Sequence, residues 1–305
     1  MRILDKMKEA ANFLKKYGIA DAAREAETII VYCLETDRTA LLRDNPGIIK
    51  NVIEKIDECL ERRSKREPLQ YIFGYVDFLG MKIKVGKGVL IPRPETELLA
   101  EEAIKTVTSY ESGVRSQIPP SPPLLKGGGG GLSILDLCTG SGCLALALAK
   151  EFPDSKVYGT DISGVAIEYA RKNAEINGIK NVTFLQGSLL EPLRDLFAVH
   201  HSPFTFDLIV SNPPYIKKDD IKTLQPEIRD WEPVEAFDGG EDGLDYYRAI
   251  IPESRSYLKG SGYLMLELGI SQAGAVREIA EGAGFKKISF KKDYAGIERI
   301  MIAKP

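Results

Sequence analysis

The chain has 305 residues, enough for about two domains. Its 44% hydrophobic and 28% charged residues are ordinary globular composition and exclude a wholly disordered or collagen-like chain. Lys plus Arg number 41 against 44 Asp plus Glu, a formal net charge of -3, so the basic excess of a protein that grips duplex DNA through many phosphates is absent. No apolar run reaches the ~20 residues that span a bilayer. The opening stretch MRILDKMKEAANFLKKYGIA lacks the apolar core and small-residue cleavage site of a signal peptide, so a cytoplasmic protein is expected. Cys33, Cys59, Cys138 and Cys143 form no CxxC pair, and His200 and His201 lie far from all four in sequence. No metal site is expected, and the thiols read as reduced and mostly buried.

Residues 1–70 read as a small helical bundle. Ile3, Leu4, Met7, Ala10, Ala11 and Leu14 share one face, and Gly18 ends that helix. A second helix places Ala22, Ala26, Ile29, Ile30 and Cys33 on one stripe, and a third places Ile49, Val52, Ile53, Ile56 and Leu60 likewise, before Pro68. Such a unit serves packing, docking or substrate recognition. Residues 71–91, YIFGYVDFLGMKIKVGKGVLI, are β-branched, aromatic and broken by glycine, which predicts a β-hairpin linker. A further domain is expected over 92–305, opening with a helix over ETELLAEEAIKTV behind Pro94. The stretch 111–131 holds four prolines and five consecutive glycines and reads as a flexible insertion.

From 132 to the end, strands and helices alternate: SILDLC, KVYGTDI, NVTFLQGS, FDLIVSN and GYLMLELG are apolar strands, with helical stretches following several of them. This is the pattern of an α/β, doubly wound, mainly parallel sheet. KKISFKKDY and RIMIAKP are joined through a turn at Ala295-Gly296-Ile297 with no helix, which predicts an antiparallel C-terminal strand pair.

In such sheets ligands sit at the carboxyl ends of the strands. The first end here is Asp136-Leu137-Cys138-Thr139-Gly140-Ser141-Gly142, whose glycines let backbone turn sharply beside a ligand. The next strand ends at Asp161, 21 residues after Gly140, where an acid accepts hydrogen bonds from ribose hydroxyls. A nucleoside site is therefore expected. The structural alternative is a tight turn with Asp161 capping the next helix. No GKS or GKT phosphate loop occurs.

FDLIVSN ends in Asn212-Pro213-Pro214-Tyr215. Two prolines stiffen the backbone and leave the Asn212 carboxamide rigid at the strand end, while Tyr215 offers a flat face. A planar NH2 conjugated to a carbonyl or ring is a poor nucleophile; the ~18–20 kcal/mol peptide rotation barrier gives the scale of that conjugation. Acceptors aimed at its N–H bonds favour a localised lone pair, and no His, Cys or Lys nucleophile is required. The structural alternative is a proline-stiffened turn.

Together, DLCTGSG, TDIS and VSNPPY resemble the class I S-adenosylmethionine-dependent methyltransferases that act on planar nitrogens. The segment Leu90-Ile91-Pro92-Arg93-Pro94-Glu95-Thr96-Glu97, together with Glu232-Pro233 and Asp238 through Leu244, narrows the resemblance to the HemK/PrmC family of peptide chain release factor N5-glutamine methyltransferases. It spans nearly the whole chain, with only 111–131 outside it. The resemblance implies a Rossmann-like methyltransferase fold and methyl transfer from S-adenosylmethionine to the glutamine of the GGQ motif in class-1 release factors. It implies no metal, membrane or stable nucleic-acid partner. It implies that Cys138, Thr139, Gly140, Ser141, Gly142, Asp161 and Asn212 meet the cofactor. Asn212, Pro213, Pro214 and Tyr215 would form the substrate pocket, with Arg93 and Glu95 at its border, and Asn212, Pro213 and Tyr215 would carry the chemistry. Cys138 stands where relatives often carry Gly. Gly187-Ser188-Leu189 stands where an Asp is frequent, so Leu189 would pack on the adenine.

Three other readings fit parts of the pattern. An adenine-N6 nucleic-acid methyltransferase needs a basic channel, yet residues 1–70 hold 14 Lys/Arg against 13 Asp/Glu, a net of +1. A glutamine methyltransferase acting on a ribosomal protein shares the chemistry. A non-enzymatic binding module would have no need of both pockets.

Overall fold

In the computed structural model, residues 1–36, 38–39, 47–115, 131–198 and 205–305 are described. The chain divides into two compact units: Met1–Tyr75 with Leu224–Trp231, and Val76–Thr223 with Glu232–Pro305.

The first unit packs α1 (Ile3–Lys16), α2 (Ala22–Leu34), α3 (Lys50–Ser64) and α4 (Leu69–Phe73) around Ala10, Leu14, Ile29, Ile30, Ile56 and Leu60. The expected stripe of α2 is buried in full. On α1 the stripe is modified: Leu4 is exposed, and Lys6 takes a buried place, its ammonium donating to Asp57 at 2.6 Å and Glu9 at 2.7 Å. Ile49 is exposed because it precedes α3 as its N-cap rather than joining the apolar face. Arg63 is buried and pairs with Glu25 and with Glu227, the latter from α10 (Pro226–Arg229) in the returning segment. Cys33 and Cys59 are free thiols, 3.8 Å apart.

The hairpin is shorter than 71–91. Residues 69–73 turn once as α4, between Pro68 and Gly74 in the left-handed region, where only glycine is unstrained. β1 (Tyr75–Phe78) and β2 (Met81–Lys84) follow, and 85–93 form no strand. Asn173, fully buried, exchanges hydrogen bonds with Lys84 N–H and C=O, and its amide also donates to the Ser141 carbonyl, tying the hairpin to the glycine turn. α5 (Pro94–Arg115) runs into the stretch expected to be a loop; residues 116–130 of that insertion, and His200 and His201, lie outside the described residues.

The second unit is built on a seven-stranded sheet of order β5-β4-β3-β6-β7-β9-β8. β3 (Ser133–Leu137), β4 (Lys156–Asp161), β5 (Val182–Gln186), β6 (Phe206–Ser211) and β7 (Leu258–Glu267) are parallel. β8 (Lys287–Lys292) and β9 (Glu298–Lys304) form the antiparallel end, as their short connection requires. The helices between strands are α6 (Cys143–Glu151), α7 (Gly164–Ile176), α8 (Glu191–Ala198), the short α9 (Lys218–Ile221) and α10, α11 (Asp245–Tyr257) and α12 (Ala273–Gly282). α8 is absent from the elements expected from the sequence. The aliphatic residues of the central strands β3, β6 and β7 are buried, with Leu135, Ile209 and Leu264 fully covered, whereas Val182 and Leu185 on β5 and Ile288 and Phe290 on β8 are only half-buried. Among the described residues no helix is long and apolar enough to cross a membrane.

Candidate active site

The chain winds from β3 outward through β4 to β5, then returns to the other side of β3 with β6. The order therefore reverses between β3 and β6, the place where open α/β sheets leave a crevice. Leu137 and Ser211 face each other at those two carboxyl ends, and the Ser211 hydroxyl donates to the Leu137 carbonyl at 2.6 Å. The glycine turn and Asn212 thus emerge side by side. They line one small hollow, with Cys138, Thr139, Gly140 and Ser141 on one side, Asn212 on the other, and Leu90, Pro92 and Thr96 closing it.

The turn is held from beneath. Asp136, buried at 1% exposure, accepts the Thr139 hydroxyl at 2.6 Å and the Ala145 N–H at 3.1 Å. Burial pushes its pKa up to about 7. Cys138 adopts φ 57, the left-handed region that favours glycine. Burial pushes its thiol pKa up, which leaves it a poor nucleophile. Gly142 also needs its missing side chain: a Cβ there would lie 2.9 Å from Ala170 Cβ and 3.0 Å from the Phe184 ring.

Asp161 takes two backbone donors, Gly140 N–H at 2.8 Å on Oδ2 and Ser163 N–H at 2.9 Å on Oδ1. The helix-capping alternative fails here, because Ser163 caps α7 by accepting the Ala166 N–H. Each Asp161 oxygen keeps a lone pair for a further donor. Leu189 sits in a left-handed bend after β5, half-buried against the core.

On the other side, Asn212 Nδ2 donates to Thr96 Oγ1 at 2.9 Å. Pro213 and Pro214 are buried, so both rings pack as supports. Tyr215 is half-buried, its hydroxyl donating to Glu267 Oε1 at 3.1 Å. Arg93 does not reach the hollow; its guanidinium pairs with the buried carboxylate of Glu232, which also accepts the Ile91 N–H at 2.9 Å. Glu95 is half-buried near Tyr215 and Glu267, where its charge raises the pKa of each.

Residues 5–74 match the PrmC N-terminal domain, and residues 129–281 match a methyltransferase domain. A release factor glutamine methyltransferase of Thermodesulfovibrio yellowstonii is 44% identical over 302 residues, covering 99% of this chain and 98% of that one. Those of Geobacter sulfurreducens and Fusobacterium nucleatum are 39% and 37% identical, covering 95% and 99% of this chain and 92% and 78% of theirs. The chain belongs to the release factor glutamine methyltransferase family. The hMettl16 catalytic domain, solved in complex with MAT2A 3'UTR hairpin 6, shares the fold with TM-score 0.52 at 15% identity, covering 81% of this chain and 82% of that one.

In this family member several site residues escape sequence reasoning. Thr96 and Glu267 bond each other at 2.8 Å across 171 positions. Gln272 clamps the far side of the Asn-Pro-Pro-Tyr turn: its amide donates to the carbonyls of Tyr215 at 2.9 Å and Gly243 at 3.1 Å and accepts the Gly269 N–H at 2.9 Å. Glu232 pins the strandless segment before α5. The only local signal for Glu267 is a carboxylate closing the apolar run LML.

Proposed function

We propose that this enzyme transfers a methyl group from S-adenosylmethionine to the side-chain nitrogen of the glutamine in the GGQ motif of class-1 release factors, in the cytoplasm. The observation that carries the reading is the placement of Asn212, fixed by Thr96, beside the glycine turn at the sheet's switch point.

The residues suit a nucleoside donor. The two spare lone pairs of Asp161 match a pair of ribose hydroxyls. A Cβ on Gly140 would meet nothing within 4 Å, so backbone is open to close approach there. When bound, the sulfonium supplies an electrophilic methyl group. The chain's own residues do the rest. Asn212 Oδ1, opposite the amide end tied to Thr96, accepts from the glutamine NH2, and backbone carbonyls of the proline turn offer further acceptors. Localising the lone pair through one aimed hydrogen bond is worth about 2.7–4 kcal/mol in the transition state, by analogy with oxyanion sites. Holding nitrogen and methyl in line supplies ~7–11 kcal/mol more. The excess N–H proton leaves after transfer, to solvent or a backbone acceptor.

The test offers labelled S-adenosylmethionine with purified release factor, a ribosomal protein or DNA, and maps the methyl group by mass spectrometry. Label on the release-factor GGQ glutamine is expected. Label on adenine, on a ribosomal protein alone, or nowhere would overturn the reading.

A further inference from the structure

Glu267 lies at the end of β7, 1% exposed, and touches no part of the hollow's surface. Its two oxygens accept the Thr96 hydroxyl at 2.8 Å and the Tyr215 hydroxyl at 3.1 Å. Thr96 Oγ1 in turn receives Asn212 Nδ2 at 2.9 Å. A hydroxyl has one proton. Once Thr96 gives it to the carboxylate, its oxygen can only accept, so the neighbouring Asn212 end must be the NH2 group. We propose that Glu267 is a positioning residue that sets the polarity of Asn212, presenting Oδ1 to the substrate only while Glu267 is a carboxylate. The inference rests on the reaction proposed above.

Protonation reverses the relay. A carboxylic acid can donate to Thr96, whose proton then turns to Asn212 Oδ1, and the amide offers NH2 to an incoming NH2. Two donors face each other, and the lone pair is no longer drawn out. Burial raises the pKa of Glu267 to about 7, with the Thr96 and Tyr215 hydroxyls pulling it down. The other groups felt there are Glu95, which raises it, and Arg299 on β9, which lowers it. Tyr247, whose hydroxyl donates to the Glu267 main-chain carbonyl, and Cys143 are neutral neighbours, their own pKa values raised by burial and by the Glu267 charge.

The single-turnover methylation rate at saturating release factor and S-adenosylmethionine, followed from pH 5.5 to 9, reads the relay. The wild type should lose rate on the acid side, with a midpoint near pH 7. Tyr215→Phe removes a donor from the carboxylate and should move that midpoint to higher pH. Glu267→Gln should abolish the acid limb and lower the plateau by about 100-fold, with S-adenosylhomocysteine affinity and KM for release factor little changed. Thr96→Val should lose the plateau likewise, while Thr96→Ser, which keeps the hydroxyl, should restore it. This Thr96 pair decides the matter even if Glu267→Gln misfolds. Equal rates for Thr96→Val and Thr96→Ser, or a wild-type acid limb unmoved in Tyr215→Phe, would overturn the relay. Absence of any wild-type methylation of release factor would instead overturn the underlying reaction.

Discussion

The Asp161 carboxylate accepts the Gly140 N–H at 2.8 Å, so the end of β4 holds the turn that leaves β3. The same side chain also binds Ser163 N–H, which leaves one free lone pair on each oxygen. An acid here both shapes the turn and can meet a ribose.

Asp161→Asn retains a single acceptor oxygen for two backbone N–H groups and points an NH2 at a donor. The affinity for S-adenosylmethionine should fall by about 10- to 100-fold, the size of a lost hydrogen bond to a charged group. Isothermal titration measures it. An unchanged Kd would place the nucleoside elsewhere.

Asn212→Ala deletes the aimed acceptor but leaves the glycine turn and Asp161 intact. Single-turnover rate should drop by about 10²–10³, while cofactor affinity stays close to that of the wild type. A variant with near-normal turnover would remove Asn212 from the mechanism.

Asp136 and Glu267 make stability depend on pH. Burial raises each folded-state pKa to about 7, above the values of an unfolded chain. Between pH 4 and 7 the folded state therefore holds protons that the unfolded state has released, and stability falls as pH rises through 7. From pH 6 to pH 8 the loss should be about 1 kcal/mol for each group. Urea unfolding at the two pH values checks this, and the double variant Asp136→Asn/Glu267→Gln should flatten the difference. Stability that instead rises over this range would refute the assignment.

Arg63→Ala should destabilise the helical unit by about 3–5 kcal/mol, because Glu25 and Glu227, both mostly covered, lose the cation they share. Lys65→Ala, which breaks the exposed pair with Glu61, should cost only about 0.3–0.5 kcal/mol. Urea midpoints compare the two. Equal effects would mean that Arg63 contributes no more than a surface charge.

What the sequence made legible was local. The glycine turn, Asp161 and Asn212 each sit where an apolar strand stops, and a strand of five or six residues announces its own end. The antiparallel pair was readable because a connection as short as 293–297 leaves no room for a crossover helix. The supports were hidden because they depend on distant partners: Glu232 meets Ile91 across 141 positions, and Gln272 meets Tyr215 across 57. The hairpin was overextended for a related reason. Aromatic and β-branched residues from 71 onward suit a strand, yet Pro68 and Gly74 bracket a helical turn. Residues 85–91 also suit a strand but form none, and Ile91 gives its N–H to a side chain instead.

Leu224–Trp231 returns to the helical unit, so the polypeptide passes between the two units three times, at 75/76, 223/224 and 231/232. No single cleavage can therefore release a self-contained catalytic piece. A fragment beginning at Val76 would carry Glu227 away from Arg63 and Arg66, leaving an orphaned strip on one half and stranded guanidinium groups on the other. Gene fusion or shuffling between relatives would have to exchange both stretches of the bundle at once, which makes this short return an obstacle to modular inheritance.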